Sequence, residues 1–260
     1  RRRETCHMST TTLTSRPAPV PTDTRSTADA AHVNPVRAAR GLGVMIGGPL
    51  VLLAAVVASA AHSVRALRHG RPPRAAAVAA LGAAAAYHRW VLPWMRRWGA
   101  TDAEAAMTLP GDETVASPGA WQTRAVPIDA PAHAVWPWIA QIGQDRGGFY
   151  SYQWLENLAG CRMRNADRIH PEWGQRAVGE TVLLHPDSGL KILQFEPGRT
   201  LVLDGGWSFT LEPDGPESCR LLTRFIAPTG VAGIAYTTLV ELPHFVMERK
   251  MLLEIKHRAR

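Results

Sequence analysis

Residues 180–226 read ETVLLHPDSGLKILQFEPGRTLVLDGGWSFTLEPDGPESCRLLTRFI. Five strand-length runs stand out: Glu180–His185, Leu190–Phe195, Thr200–Asp204, Trp207–Glu212 and Cys219–Ile226. Between them lie Pro-Asp-Ser-Gly, Glu-Pro-Gly-Arg, Gly-Gly and Pro-Asp-Gly-Pro. These are the residues that set tight-turn dihedrals, so the stretch is expected to be an antiparallel meander. Trp207, Phe209 and Leu211 alternate with Ser208, Thr210 and Glu212, which gives that strand one apolar face. An apolar face needs a cover. Residues 234–258 follow without an internal glycine, and are expected to form a long helix kinked at Pro243.

On the other side of the meander, Trp121–Ile128 alternates as a strand. Asp129 and Pro131 open a helix in which Val135, Ile139 and Ile142 share a face, with Pro137 keeping it short or kinked. A glycine-rich turn over 143–148 leads to a second short helix over Tyr150–Leu158, and 161–179 is an irregular polar connection. Six of the eighteen aromatic residues fall between Trp136 and Trp154. Trp136 and Trp138 suit core packing, whereas Phe149, Tyr150 and Tyr152 sit beside the glycine turn, where a cavity rim is expected.

The first third of the chain differs in kind. The net charge of +7 lies entirely within residues 1–120, and 121–260 balance 15 basic against 15 acidic residues. A neutral domain has no electrostatic footprint for a phosphate backbone, so nucleic acid is not an expected partner. Residues 1–40 are rich in Thr, Ser, Pro, Ala and Arg without apolar periodicity and are expected to be a disordered tail, with Met8 as a start site.

Gly41–Val64 contains no Asp, Glu, Lys or Arg, and as a helix would extend roughly 36 Å against a hydrocarbon core of roughly 30 Å. Arg37, Arg40, Arg65 and Arg68 bracket it, so a transmembrane helix is expected. A cleaved signal peptide would need a forty-residue leading region, which is too long. Within the membrane region of 41–98, residues 75–95 are expected to be a second span or an interfacial helix, with Trp90, Trp94 and Trp98 beside Arg96 and Arg97 as an aromatic belt. Residues 99–120 read as an acidic linker with one helical turn after Thr101, and 121–260 as the globular domain. The arginines flanking both segments give no orientation by charge; the expected location is a membrane, with the domain facing the cytoplasm.

Cys6, Cys161 and Cys219 form no paired framework and no zinc spacing. For acid–base chemistry the aromatic stretch and its margin offer Asp145 beside Arg146, Tyr150 and Glu156, and Asp167 and His185 follow; Asp145, Tyr150, Asp167 and His185 are the catalytic candidates. No HxxxH, HExxH, GxGxxG or GxSxG spacing occurs, so neither a metal nor a cofactor is expected.

GQDRGGFYSYQWLENLAG, NADRIHPEW, LKILQFEPGRTLVLDG and ELPHFVMERKMLLEIK together resemble the SRPBCC (START-like, polyketide-cyclase-like) superfamily, and within it an actinobacterial subgroup with an N-terminal membrane segment. The resemblance covers about residues 96–258. It implies an α+β helix-grip fold, in which a curved antiparallel sheet wraps the last helix around a cavity. It further implies a membrane-anchored binder of a hydrophobic small molecule or lipid, or alternatively a cyclase or dehydratase acting on a polyketide-like substrate. Phe149, Tyr150, Tyr152, Trp207, Phe209, Met247 and Met251 are the expected ligand contacts.

Overall fold

Hairpin turns dictate neighbour order, and the sheet follows it. In the computed structural model, which describes residues 81, 82, 84–115 and 121–260, six antiparallel strands lie in the order β1-β6-β5-β4-β3-β2. They are β1 (Trp121–Ile128), β2 (Thr181–His185), β3 (Ser188–Glu196), β4 (Thr200–Leu203), β5 (Trp207–Pro213) and β6 (Cys219–Ile226). The four expected turns connect β2 through β6, and the expected strand over residues 121–128 pairs with β6 along its whole length. Register shifts at Leu183/His185 and Ile192/Gln194 place bulges in β2 and β3, which bend this end of the sheet.

Before the sheet come two short helices, α1 (Leu92–Arg96) and α2 (Asp102–Ala106). The helical turn expected after Thr101 is α2, held by a full capping box between Thr101 and Glu104. After β1 comes α3 (Ala132–Ala140), nine residues long with Pro131 at its N-cap position, no side chain capping it, and Pro137 inside it. Only Gln153–Leu158 of the second expected helix is helical (α4). Tyr150 cannot start it, because it adopts φ 55°. The last helix begins earlier than expected. It runs as α5 (Gly230–Ala235), a π-helical turn (Tyr236–Val240) and α6 (Glu241–Arg258). Pro243 offers no N–H to the carbonyl four residues back, and the irregularity sits in the turn before it as a widened turn.

The sheet's two faces follow from alternation. Gln122, Arg124, Val126 and Ile128 share the face that meets α6. The core fills this side with Val135, Ile139, Ile142, Leu201, Leu203, Phe209, Leu211, Leu221, Met251, Leu252 and Ile255. Trp136 and Trp138 are buried there, against Phe195 and Tyr150.

The opposite face is covered by the acidic stretch expected to be a linker. Leu109 packs on Ala125 and Leu222, Arg224 donates to Asp112 at 2.5 Å and to the Met107 carbonyl at 2.8 Å, and Arg220 pairs with Glu104. Residues 99–114 thus form a cover on the sheet rather than a free tether. The β1 edge is occupied as well, since the Ala125 N–H donates to the Trp98 carbonyl at 3.1 Å. Gly99 permits that approach at φ 73°, because a Cβ there would collide with the Ala125 carbonyl oxygen.

The segment 41–64 and the tail lie outside the described residues, as do 65–80 and 83. Among the described residues, no helix is long and apolar enough to cross a membrane.

Candidate functional site

A strand that alternates and a helix with a seven-residue recurrence can bring polar groups face to face. On β1, Gln122 and Arg124 point to the helix side; on α6, Glu241, His244 and Glu248 recur at i, i+3 and i+7. The result is a polar cluster at one end of the sheet–helix interface, next to an otherwise apolar core.

Arg124 is wholly buried and fully engaged. Its Nε donates to the Met95 carbonyl at 2.9 Å, Nη2 donates to Gln122 Oε1 at 2.6 Å, and Nη1 pairs with Glu248. Its guanidinium also lies 5.3 Å from the centroid of the Phe245 ring. The second Glu248 oxygen accepts the Trp207 indole N–H at 3.0 Å. Glu241, also fully buried, accepts from Gln122 at 3.1 Å and from two nitrogens of Arg96, at 2.5 and 2.9 Å. Two buried carboxylates are therefore matched by two arginines, the arrangement that buried charge requires.

Around this cluster stands a box of rings. His244 has its Nδ1 2.6 Å from the Tyr236 hydroxyl, and its ring meets Phe225 edge-on at 4.8 Å and Trp207 at 6.0 Å. Phe149 stacks on Trp207 at 5.9 Å. Trp207, Phe225, His244 and Met247 keep part of their surface exposed, whereas Phe209 and Met251 beneath them keep almost none. The ring box therefore borders solvent at this end of the interface. Thr223 stands opposite both Arg124 and Phe209 in the strand register, so its hydroxyl faces the helix. That hydroxyl is buried and has no hydrogen-bond partner among the described residues.

The environment sets the charge states. Burial pushes His244 down, and Arg124 adds to this while Glu248 opposes it, so the imidazole is neutral near pH 7. Burial pushes the Glu248 carboxyl up, but Arg124, His244 and the indole outweigh it, and the group stays below the usual carboxylate range. Burial pushes the Tyr236 phenol well above its ordinary value, so it remains protonated. A neutral imidazole paired with a neutral phenol can accept and relay one proton.

The four catalytic candidates do not meet. Asp145 and Asp167 are exposed. His185 lies by Asp187, 3.9 Å away. Tyr150 is sealed in the core, its hydroxyl donating to the Trp138 carbonyl at 3.1 Å and accepting from Gln141 at 2.9 Å. Arg146 pairs with Glu180 at 2.7 Å rather than with Asp145. Among the described residues no group of three His, Cys, Asp or Glu is placed to hold a metal ion.

The expected ligand contacts divide. Phe149 and Trp207 stack together, and Trp207 also lies 4.9 Å from Phe209. Tyr152 faces outward, with Lys250 6.0 Å over its ring, and Met251 is core. The cluster residues Gln122, Arg124, Thr223, Tyr236, Glu241, His244 and Glu248 were not among the sequence candidates. Their signal was present: two glutamates on the same helical face as Phe245, Met251, Leu252 and Ile255, where an apolar stripe would have none.

The turn beside the box depends on one side chain. Asn165 Oδ1 accepts from the Tyr150 N–H at 2.8 Å and its Nδ2 donates to the Ser151 carbonyl at 3.0 Å, which holds Tyr150 in its left-handed conformation. Asn165→Ala is expected to cost about 2–3 kcal/mol, read from urea unfolding. Asn165→Asp keeps the acceptor and is expected to recover part of that loss.

No protein-family model matches the chain, and no curated protein matches it. A solution NMR structure of a Polyketide_cyc-like protein from Corynebacterium glutamicum is similar at 18% identity and a TM-score of 0.30, over 52% of this chain and 88% of that chain. At that score the likeness carries no argument about the site. The α+β class rests on the chain's own strand order and on the helix laid against its sheet.

Proposed function

We propose that this is a ligand-binding domain that takes an apolar small molecule or lipid into the open end of the sheet–helix interface, with a hydrogen-bonding group of the ligand meeting Thr223 and His244. The observation that carries the reading is the Thr223 hydroxyl, buried without a hydrogen-bond partner among the described residues and one same-face residue pair along the strands from the partly exposed Trp207 and Phe225. An unmade buried hydrogen bond is a standing cost that a ligand acceptor or donor would remove. The rings supply apolar contact and the hydroxyl supplies orientation.

Thr223→Val separates this reading from simple packing. The variant is nearly isosteric and deletes the orphaned hydroxyl, so the unliganded protein is expected to gain about 1 kcal/mol. Native mass spectrometry of the full chain, extracted in mild detergent, is expected to show a co-purifying apolar molecule in the wild type and about tenfold lower occupancy in Thr223→Val. A wild-type interior that is reproducibly empty, from several hosts, would sink the proposal.

The finer proposal is that Gly41–Val64 anchors this domain to a membrane, supported by the absence of charge in that segment and its flanking arginines. Release of the full chain by alkaline carbonate would overturn it. A second reading, a cyclase or dehydratase, is favoured by the 2.6 Å Tyr236–His244 pair. It requires that His244→Gln lower kcat for a polyketide-like substrate by far more than it weakens ligand retention.

A further inference from the structure

The last helix has a second face. From Gly230 to Arg258 it buries Tyr236, Glu241, Phe245, Glu248, Met251, Leu252 and Ile255. On its outer side Val231 is 84% exposed, Ile234 70%, Leu242 50% and Val246 39%, with Ala235 and Thr238 exposed between them. Steps of three and four residues make this one apolar stripe. Beside it runs the helical segment that ends in α1. It buries Leu92 and Met95 against Phe245 and turns out Leu81 (72%), Trp90 (67%), Val91 (41%) and Trp94 (56%). The Trp94 ring lies 5.4 Å from that of Phe245, and Arg96 pairs with Glu241, so the two outward faces adjoin. Exposed apolar surface of this extent on neighbouring elements marks a contact.

Charge identifies the partner. Residues 81–97 contain no acid, and the two acids within 230–249, Glu241 and Glu248, are both buried. Arg89, Arg97 and Arg249 are exposed on these elements, Arg97 sharing its charge with Asp102. The surface is thus apolar with a basic margin at Arg89 and Arg249, and the exposed Asp102 carboxylate at its edge is paired with Arg97. Tryptophans at a helix end beside arginines, and a basic amphipathic face, are the chemistry of a membrane–water interface.

We propose that the Trp90/Trp94 face and the Val231–Val246 stripe rest together on the surface of an anionic lipid bilayer. Docking in this way does not require the ligand reading. If that reading holds, docking brings the ring box close to lipid: Ile234 lies two residues before Tyr236, whose ring stacks on Phe225 at 5.4 Å.

The test uses the full chain with Cys6→Ser, leaving Cys161 and Cys219, whose thiols burial pushes up. An environment-sensitive fluorophore is attached at Val231→Cys, at Leu242→Cys, or at Glu217→Cys on the hairpin at the other end of the sheet. The protein is reconstituted in phosphatidylcholine vesicles with and without phosphatidylglycerol. Labels at 231 and 242 are expected to shift to the blue and be quenched by lipid-borne quenchers when phosphatidylglycerol is present. The label at 217 stays in water, and Arg89→Gln with Arg249→Gln lowers the lipid selectivity several-fold. Labels at 231 and 242 that report water in both vesicles would overturn the proposal. So would labels that are shielded from water in both vesicles yet beyond reach of the lipid-borne quenchers, because another protein segment would then cover the face. Native mass spectrometry of the bound molecule reads the ligand proposal separately.

Discussion

Arg124→Met is expected to destabilise the domain by about 3–5 kcal/mol at pH 7, because it leaves the Glu248 carboxylate buried without its partner. The methionine fills much of the volume of the arginine stem, so the loss reports charge rather than a cavity. The pH dependence distinguishes this cause from a packing defect. In the native protein the Glu248 pKa is held below its unfolded value, so its contribution is present above the unfolded pKa and is lost as pH falls. Without Arg124 burial dominates, the folded pKa moves above the unfolded one, and the variant loses stability as pH rises instead. The difference between variant and wild type, measured by urea unfolding, should therefore be largest near neutrality and shrink toward pH 4. Arg124→Met combined with Glu248→Leu removes both charges and is expected to recover most of the loss. A constant deficit below about 1 kcal/mol across this range would mean that the pair is solvated, and the cluster would lose its standing as a sealed interior site.

The same cluster shows where sequence reading succeeds and where it stops. Strands β2 to β6 were legible because Pro-Asp-Ser-Gly, Glu-Pro-Gly-Arg, Gly-Gly and Pro-Asp-Gly-Pro are local instructions, read by the residues that carry them. Trp136 and Trp138 as core followed from the helical face formed by Val135, Ile139 and Ile142. Arg124 was illegible for the opposite reason. An arginine in an alternating strand normally marks the solvent side, and only Glu248, 124 residues later, makes it an interior residue. Arg220 and Arg224 present the same problem on the other face. Their partners Glu104 and Asp112 lie in a stretch whose prolines, glycines and acids read locally as a tether. Local chemistry specifies turns and caps, while long-range charge pairing decides which side of a strand is inside. Asp145 and Tyr150 within the aromatic stretch, and Asp167 and His185 after it, stand out by residue type, and type alone does not make them converge.

Glu156 supplies the second large effect, and it has the opposite sign to Glu248. It is 6% exposed on α4, its Oε2 is buried without a partner among the described residues, and burial alone pushes its carboxyl up to about 7. The neighbouring Cys161 thiol is pushed up to about 11, first by burial and then by the Glu156 charge. Because the folded pKa exceeds the unfolded value of 4.5, the carboxylic acid is tolerated fully below that value. As pH rises from there to about 7 the unfolded chain ionises while the folded one holds its proton, and stability falls by about 3 kcal/mol before levelling off. Glu156→Gln cannot ionise and keeps the shape. It should match the wild type at pH 4 and exceed it by about 3 kcal/mol at pH 8, with the gap opening between those limits. The comparison is differential, so other titrating groups cancel. A gap of the same size at both ends would show that the carboxyl is matched by a partner or by water, and that its isolation on α4 is not what sets its proton.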